Sequence, residues 1–212
     1  MTKVKICGLT RPEDITAVNQ TLPDYIGFVF APSKRKLTPQ AASALKEKLD
    51  PSIKIVGVFV NESIEVITEI QKTGIIDMVQ LHGEEDDEYI TKLKTICKCQ
   101  VIKSIGIKST KNTKSIIEPT LVDLPKIADY LLFDTLSPQR GGTGEPFDWQ
   151  ILKSHKGLPY FLAGGLRPEN VKEAITLLDP YSVDVSSGVE TNAVKDAIKI
   201  EEFIQIVRET RR

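Results

Sequence analysis

The sequence is poor in the residues that build metal centres and covalent frameworks. It has two histidines, three cysteines and one tryptophan among 212 residues. Two histidines are too few for the His-rich clusters of most catalytic metal sites. Cys97-Lys98-Cys99 is a CxC without accompanying ligands, which argues against zinc. Three cysteines cannot all pair within one chain, so no disulfide framework is implied. No stretch approaches the ~18 uninterrupted apolar residues of a membrane helix, and the first residues contain no apolar run of signal-peptide length. These features lead us to expect a cytoplasmic protein without a membrane partner. An excess of either charge is missing too. Lys plus Arg total 28 and Asp plus Glu total 29, a net charge of −1. That disfavours a general nucleic-acid binder, which normally carries a clustered basic surface.

What is present is ordinary globular material, 41% hydrophobic and 27% charged. Short, β-branched-rich apolar runs recur at Val4–Cys7, Tyr25–Phe30, Ile53–Val60, Met78–Leu81, Val101–Ile105, Tyr130–Asp134, Tyr160–Ala163 and Ser182–Val185. Each is too short for a helix and apolar on consecutive positions, the pattern of strands buried on both faces of a parallel sheet. Amphipathic stretches with start signals lie between them. Thr10 reads as an N-cap before Pro12, Thr38-Pro39 opens Gln40–Leu49, and Asn61 opens Glu62–Lys72. Pro168 begins a segment to Leu178, and Ala197–Arg211 carries an Ile200, Phe203, Ile204, Val207 stripe. The fifth crossover, Lys108–Ala128, is interrupted by Pro119 and Pro125. Eight βα units in series, with no linker between halves, predict a single (β/α)8 TIM barrel over residues 1–212. A doubly wound open sheet is the alternative.

A barrel concentrates chemistry at the C-terminal ends of its strands. That rule selects Cys7 at the exit of the first strand and Asp134 at the exit of the sixth. A thiol with an ordinary pKa of about 8.5 is mostly protonated at neutral pH, so Cys7 needs nearby positive charge to act as a base. Asp134 follows three apolar residues, where burial would raise its pKa and allow it to donate a proton. Three glycine-bearing segments follow strands 6, 7 and 8: Gly141-Gly142-Thr143-Gly144, Ala163-Gly164-Gly165-Leu166 and Ser186-Ser187-Gly188-Val189-Glu190. Successive glycines let backbone N–H groups approach a phosphate, so Gly142, Gly144, Gly164, Gly165, Ser187 and Gly188 are candidate phosphate ligands. Arg35, in a basic loop, is suited to gripping a carboxylate bidentately, and His82 lies at the exit of the fourth strand. His155, in a polar segment, reads as solvent-facing. Trp149 reads as pinning a following helix to the barrel.

Five segments in one order, Lys5-Ile6-Cys7-Gly8, Gln80-Leu81-His82-Gly83, Gly141–Gly144, Ala163–Leu166 and Asp184–Glu190, closely resemble the phosphoribosylanthranilate isomerase family. The resemblance runs from residue 3 to about 209. It implies an Amadori rearrangement of N-(5-phosphoribosyl)anthranilate to 1-(2-carboxyphenylamino)-1-deoxyribulose 5-phosphate in tryptophan biosynthesis, with no cofactor or metal. It also implies Cys7 as general base, Asp134 as general acid, Arg35 on the anthranilate carboxylate, and a monomer or homodimer. Indoleglycerol-phosphate synthase would use lysine and glutamate at strand ends, and the first strand offers Cys7, which disfavours it. A sugar-phosphate epimerase would need metal-ligating clusters. A non-catalytic sugar-phosphate binder would lack the Cys7–Asp134 pair.

Overall fold

The computed structural model describes residues 1–108, 124–136 and 146–210. Eight parallel strands close into a barrel in sequence order, with β1 and β8 completing the ring. They are β1 Lys3–Cys7, β2 Tyr25–Val29, β3 Lys54–Phe59, β4 Met78–Leu81, β5 Gln100–Lys108, β6 Tyr130–Leu136, β7 Tyr160–Leu162 and β8 Ser182–Val185. The helices are α1 Pro12–Thr21, α2 Pro39–Lys46, α3 Ile64–Lys72, α4 Asp87–Cys97, α5 Pro168–Leu178 and α6 Ala197–Glu209. A small hairpin of β9 Glu190–Thr191 and β10 Val194–Lys195 follows β8. Most of the fifth crossover and the Gly141–Gly144 segment, including Gly142 and Gly144, lie outside the described residues.

Strand side chains alternate between two cores. Outward-facing residues such as Ile6, Ile26, Phe59 and Phe133 pack against the helices, and the α6 stripe Ile200, Phe203, Ile204 and Val207 is buried there as its spacing predicted. Inward-facing Tyr25, Val56, Met78, Ile102, Leu132 and Phe161 fill the barrel's lower interior. The same alternation turns Lys3, Lys5 and Cys7 of β1 inward. It does so for Tyr130, Leu132 and Asp134 of β6, and for Ser182 and Asp184 of β8.

Several boundaries differ from the sequence reading for local reasons. The N-cap of α1 is Arg11, not Thr10, because the Asp14 carboxylate accepts from the backbone N–H of both Thr10 and Arg11 at 2.9 and 3.0 Å. Helix α3 is capped by Ser63 rather than opened by Asn61. Asn61 is left-handed (φ 49°), and its side chain accepts from Glu84 N–H at 2.7 Å. The segment at Trp149 is a 3-10 turn, Trp149–Leu152, and Trp149 is buried in it. His155 is half-buried rather than fully solvent-facing. Its ring packs edge-on against Phe133 and Tyr160, with Nε2 3.0 Å from the Leu158 carbonyl.

Candidate active site

At the C-terminal end of the barrel a cavity of about 330 Å3 gathers Cys7, Arg35, Gln80, His82, Asp134, Gly164, Gly165, Asp184, Ser187 and Gly188. All the described site candidates therefore meet in one place, although they come from six different strand exits. A larger hollow on the barrel flank, about 750 Å3, is lined by Leu131, Asp148, His155 and neighbours but brings no thiol and carboxyl together.

Cys7 ends β1. Its carbonyl accepts from Ser186 Oγ at 3.0 Å, and its sulfur occupies the space above Gly27 on β2. A Cβ on Gly27 would come within 2.5 Å of that sulfur, so a bare backbone there is what makes room for the thiol. Burial pushes the Cys7 thiol above its ordinary pKa, while the ammonium groups of Lys5 and Lys195 pull it back down. Lys5 is fully buried and forms a 2.9 Å ion pair with Asp184, its register neighbour on β8. Lys195, on β10, donates to the Ser186 carbonyl at 2.9 Å and to Glu190 at 2.6 Å.

Across the cavity, burial raises the Asp134 carboxyl to a pKa of about 6, helped by the negative charge of Asp184. Its Oδ1 accepts from the Thr135 N–H at 2.7 Å. Its Oδ2 lies 3.6 Å from His82 Nε2. Burial and the Lys5 charge hold His82 to a pKa of about 4, so at neutral pH this contact is not an ion pair. Gln80 Nε2 lies 3.0 Å from His82 Nδ1. An amide nitrogen only donates, so Nδ1 accepts and the imidazole proton sits on Nε2, toward Asp134.

Arg35 follows β2 and folds back over Gly8. Its Nε and Nη2 form a fork on Glu190 at 2.9 and 2.8 Å. The fork that the sequence suggested for a substrate carboxylate is thus half engaged internally, leaving the Nη1 edge. On the far wall, Gly164 and Gly165 are left-handed (φ 80° and 69°). A Cβ on Gly164 would meet Thr135 N at 2.6 Å, and one on Gly188 would meet the Leu166 carbonyl oxygen at 1.8 Å. The loops after β7 and β8 are therefore packed backbone on backbone, beside the start of α5. This is a surface on which N–H groups can face an anion.

Sequence reasoning missed Lys5, Asp184, Glu190 and Lys195 as parts of the site. Lys5 carried one usable signal: a lysine two residues before Cys7 on a strand must share its inward face.

Matches to known proteins agree with this arrangement. A family model described as N-(5'-phosphoribosyl)anthranilate (PRA) isomerase matches residues 4–206. The chain belongs to this family. It is accordingly an isomerase of tryptophan biosynthesis, of the aldose–ketose type, on a TIM barrel. The N-(5'-phosphoribosyl)anthranilate isomerase of Endomicrobium trichonymphae is 46% identical over 209 residues, covering 98% of this chain and 99% of that one. Phosphoribosyl anthranilate isomerase from Thermotoga maritima superposes with a TM-score of 0.86 at 38% identity, covering 99% of this chain and 100% of the other. A further structure of such an isomerase, solved in complex with reduced 1-(o-carboxyphenylamino)-1-deoxyribulose 5-phosphate, gives 0.83 at 36% identity, with 99% and 100% coverage.

Proposed function

We propose that this isomerase converts N-(5-phosphoribosyl)anthranilate to 1-(2-carboxyphenylamino)-1-deoxyribulose 5-phosphate, with Asp134 as general acid and Cys7 as general base. The observation that carries the assignment is their placement on one cavity, the carboxyl held protonated by burial and the thiol beside positive charge. Asp134 keeps its proton to about pH 6, and Cys7 is flanked by two ammonium groups. Protonated Asp134 gives its proton to the ribose ring oxygen, the C1–O bond breaks and a protonated Schiff base forms. The Cys7 thiolate then takes the proton from C2, and the electron pair moves to the nitrogen to give an enolamine. Loss of the enol proton and protonation at C1 complete the aminoketose. The relative solved with the reduced product analogue supports the substrate class.

The phosphate is assigned to the backbone of Gly164, Gly165, Ser187 and Gly188, and the anthranilate carboxylate to the free edge of Arg35. His82, neutral and donating from Nε2, is assigned to hold Asp134 or a substrate oxygen in line. The test follows the decay of anthranilate fluorescence as substrate is consumed. Cys7→Ala and Asp134→Asn should each lower turnover by about 10²–10⁴-fold or more while the fold persists. Turnover near wild type in either variant removes that residue from its role.

A further inference from the structure

The two groups assigned above need opposite help. The base must give up its proton and the acid must keep one, within a cavity of about 330 Å3. One buried pair lies under both. Lys5 and Asp184 face each other in register across the β1–β8 seam that closes the barrel, 2.9 Å apart, with side chains 0% and 9% exposed. Cys7 lies two residues along the same inward face of β1, where the charge of the Lys5 ammonium reaches its thiol. Asp184 lines the cavity, and its Oδ1 has no hydrogen-bond partner among the described residues. Lys5 engages one oxygen of that carboxylate and leaves the other without a hydrogen bond. A buried ion pair is weak evidence for stability, because desolvation cancels much of its attraction. Its position under the reacting groups needs another account.

We propose that Lys5 and Asp184 are positioning residues for this reaction: the ammonium stabilises the Cys7 thiolate, and the carboxylate keeps Asp134 in its acid form. The inference rests on the acid–base assignment above. The full charge environment is consistent with it. Cys7 is faced by Lys5 from its own strand, Asp184 from β8, Lys195 from β10 and Arg35 from the loop after β2. Asp134 is faced by Asp184, Lys5 and His82. Lys5 and Asp184 act on both Cys7 and Asp134.

The consequence is a specific signature in the pH profile. Activity needs Asp134 protonated and Cys7 ionised, and the two limbs of the kcat/KM profile report the pair's macroscopic constants. Lys5→Met removes a positive charge, so both groups hold their protons more tightly and both limbs move to higher pH. Asp184→Asn removes a negative charge and moves both limbs to lower pH. Each shift should be about one pH unit, as expected for charges a few ångströms apart in a protein interior. Lys5→Arg, which keeps the charge, should restore the wild-type limbs. A second readout needs no substrate. The pH dependence of Cys7 alkylation by iodoacetamide, with the site resolved by mass spectrometry and Cys7→Ser as blank, should shift in the same opposite directions. Limbs and alkylation profiles that stay put in folded Lys5→Met and Asp184→Asn overturn the proposal, since a structural role alone would change stability and leave them in place. Should Lys5→Met fail to fold, Asp184→Asn decides by the sign of its shift. If wild type turned over no substrate, the acid–base assignment would fail, while the alkylation series would still report whether the pair governs the thiol.

Discussion

At the scale of single residues, the site is defined by who already holds whom. Arg35 is oriented before any substrate arrives, because Glu190 takes its Nε and Nη2 while also accepting from Lys195. A guanidinium fixed in this way loses less entropy on gripping a carboxylate than a free one. Arg35→Ala should therefore raise KM at least tenfold with a smaller change in kcat. Glu190→Gln, which loosens the fork but leaves the arginine, should raise KM by less. Steady-state kinetics on both variants checks the order, and an unchanged KM in Arg35→Ala removes Arg35 from substrate binding. Cys7 and Asp134 were legible in the sequence because each ends an apolar run, and position at a strand exit is a local property. The Lys5–Asp184 partnership was not legible: its members are 179 residues apart in sequence, and only barrel closure brings them into register.

At the scale of elements, one device recurs at the opposite end of the barrel. An aspartate stands immediately before β2, β4 and β6, and each reaches sideways to the N–H of the second residue of the preceding strand. Asp24 accepts from Val4 N–H at 2.9 Å, Asp77 from Ile55 N–H at 2.7 Å and Asp129 from Val101 N–H at 2.8 Å. These carboxylates satisfy strand-start donors and fix the stagger between neighbours. Replacing any one with alanine should cost about 1 kcal/mol of unfolding free energy by denaturant titration, with kcat and KM unaltered. Loss of activity without loss of stability would contradict a purely architectural role. The eight strands were readable from apolar runs alone, yet helix starts were less so. Asp14 and Ser63 took over capping from Thr10 and Asn61 because a side chain's geometry, not its type, decides which N–H it reaches.

At the scale of the whole molecule, the two perturbed groups across from Cys7 oppose each other in stability. His82 has its pKa lowered to about 4 in the fold, so between pH 4 and 6.5 the unfolded chain binds the extra proton and stability rises with pH. Asp134 has its pKa raised from 3.8 to about 6, so over nearly the same window the folded state holds the extra proton and stability falls with pH. The two slopes, each at most about 1.4 kcal/mol per pH unit, largely cancel. Against wild type, Asp134→Asn should therefore gain stability progressively from pH 4 to 6, and His82→Asn should lose it over the same interval. Denaturant midpoints at several pH values read both, and flat differences would show that neither group is perturbed as described. The alternation of eight βα units was enough to expect a closed barrel. It said nothing of which interior charges the closure would bring together.

Gly27 ties the thiol's place to its neighbour strand, since the sulfur fills the volume that a side chain at position 27 would claim. The two positions are therefore sterically coupled. Any substitution that adds a Cβ at 27 displaces the sulfur at 7, so the reach of that thiol into the cavity can be adjusted from a strand that carries no acid or base of its own there.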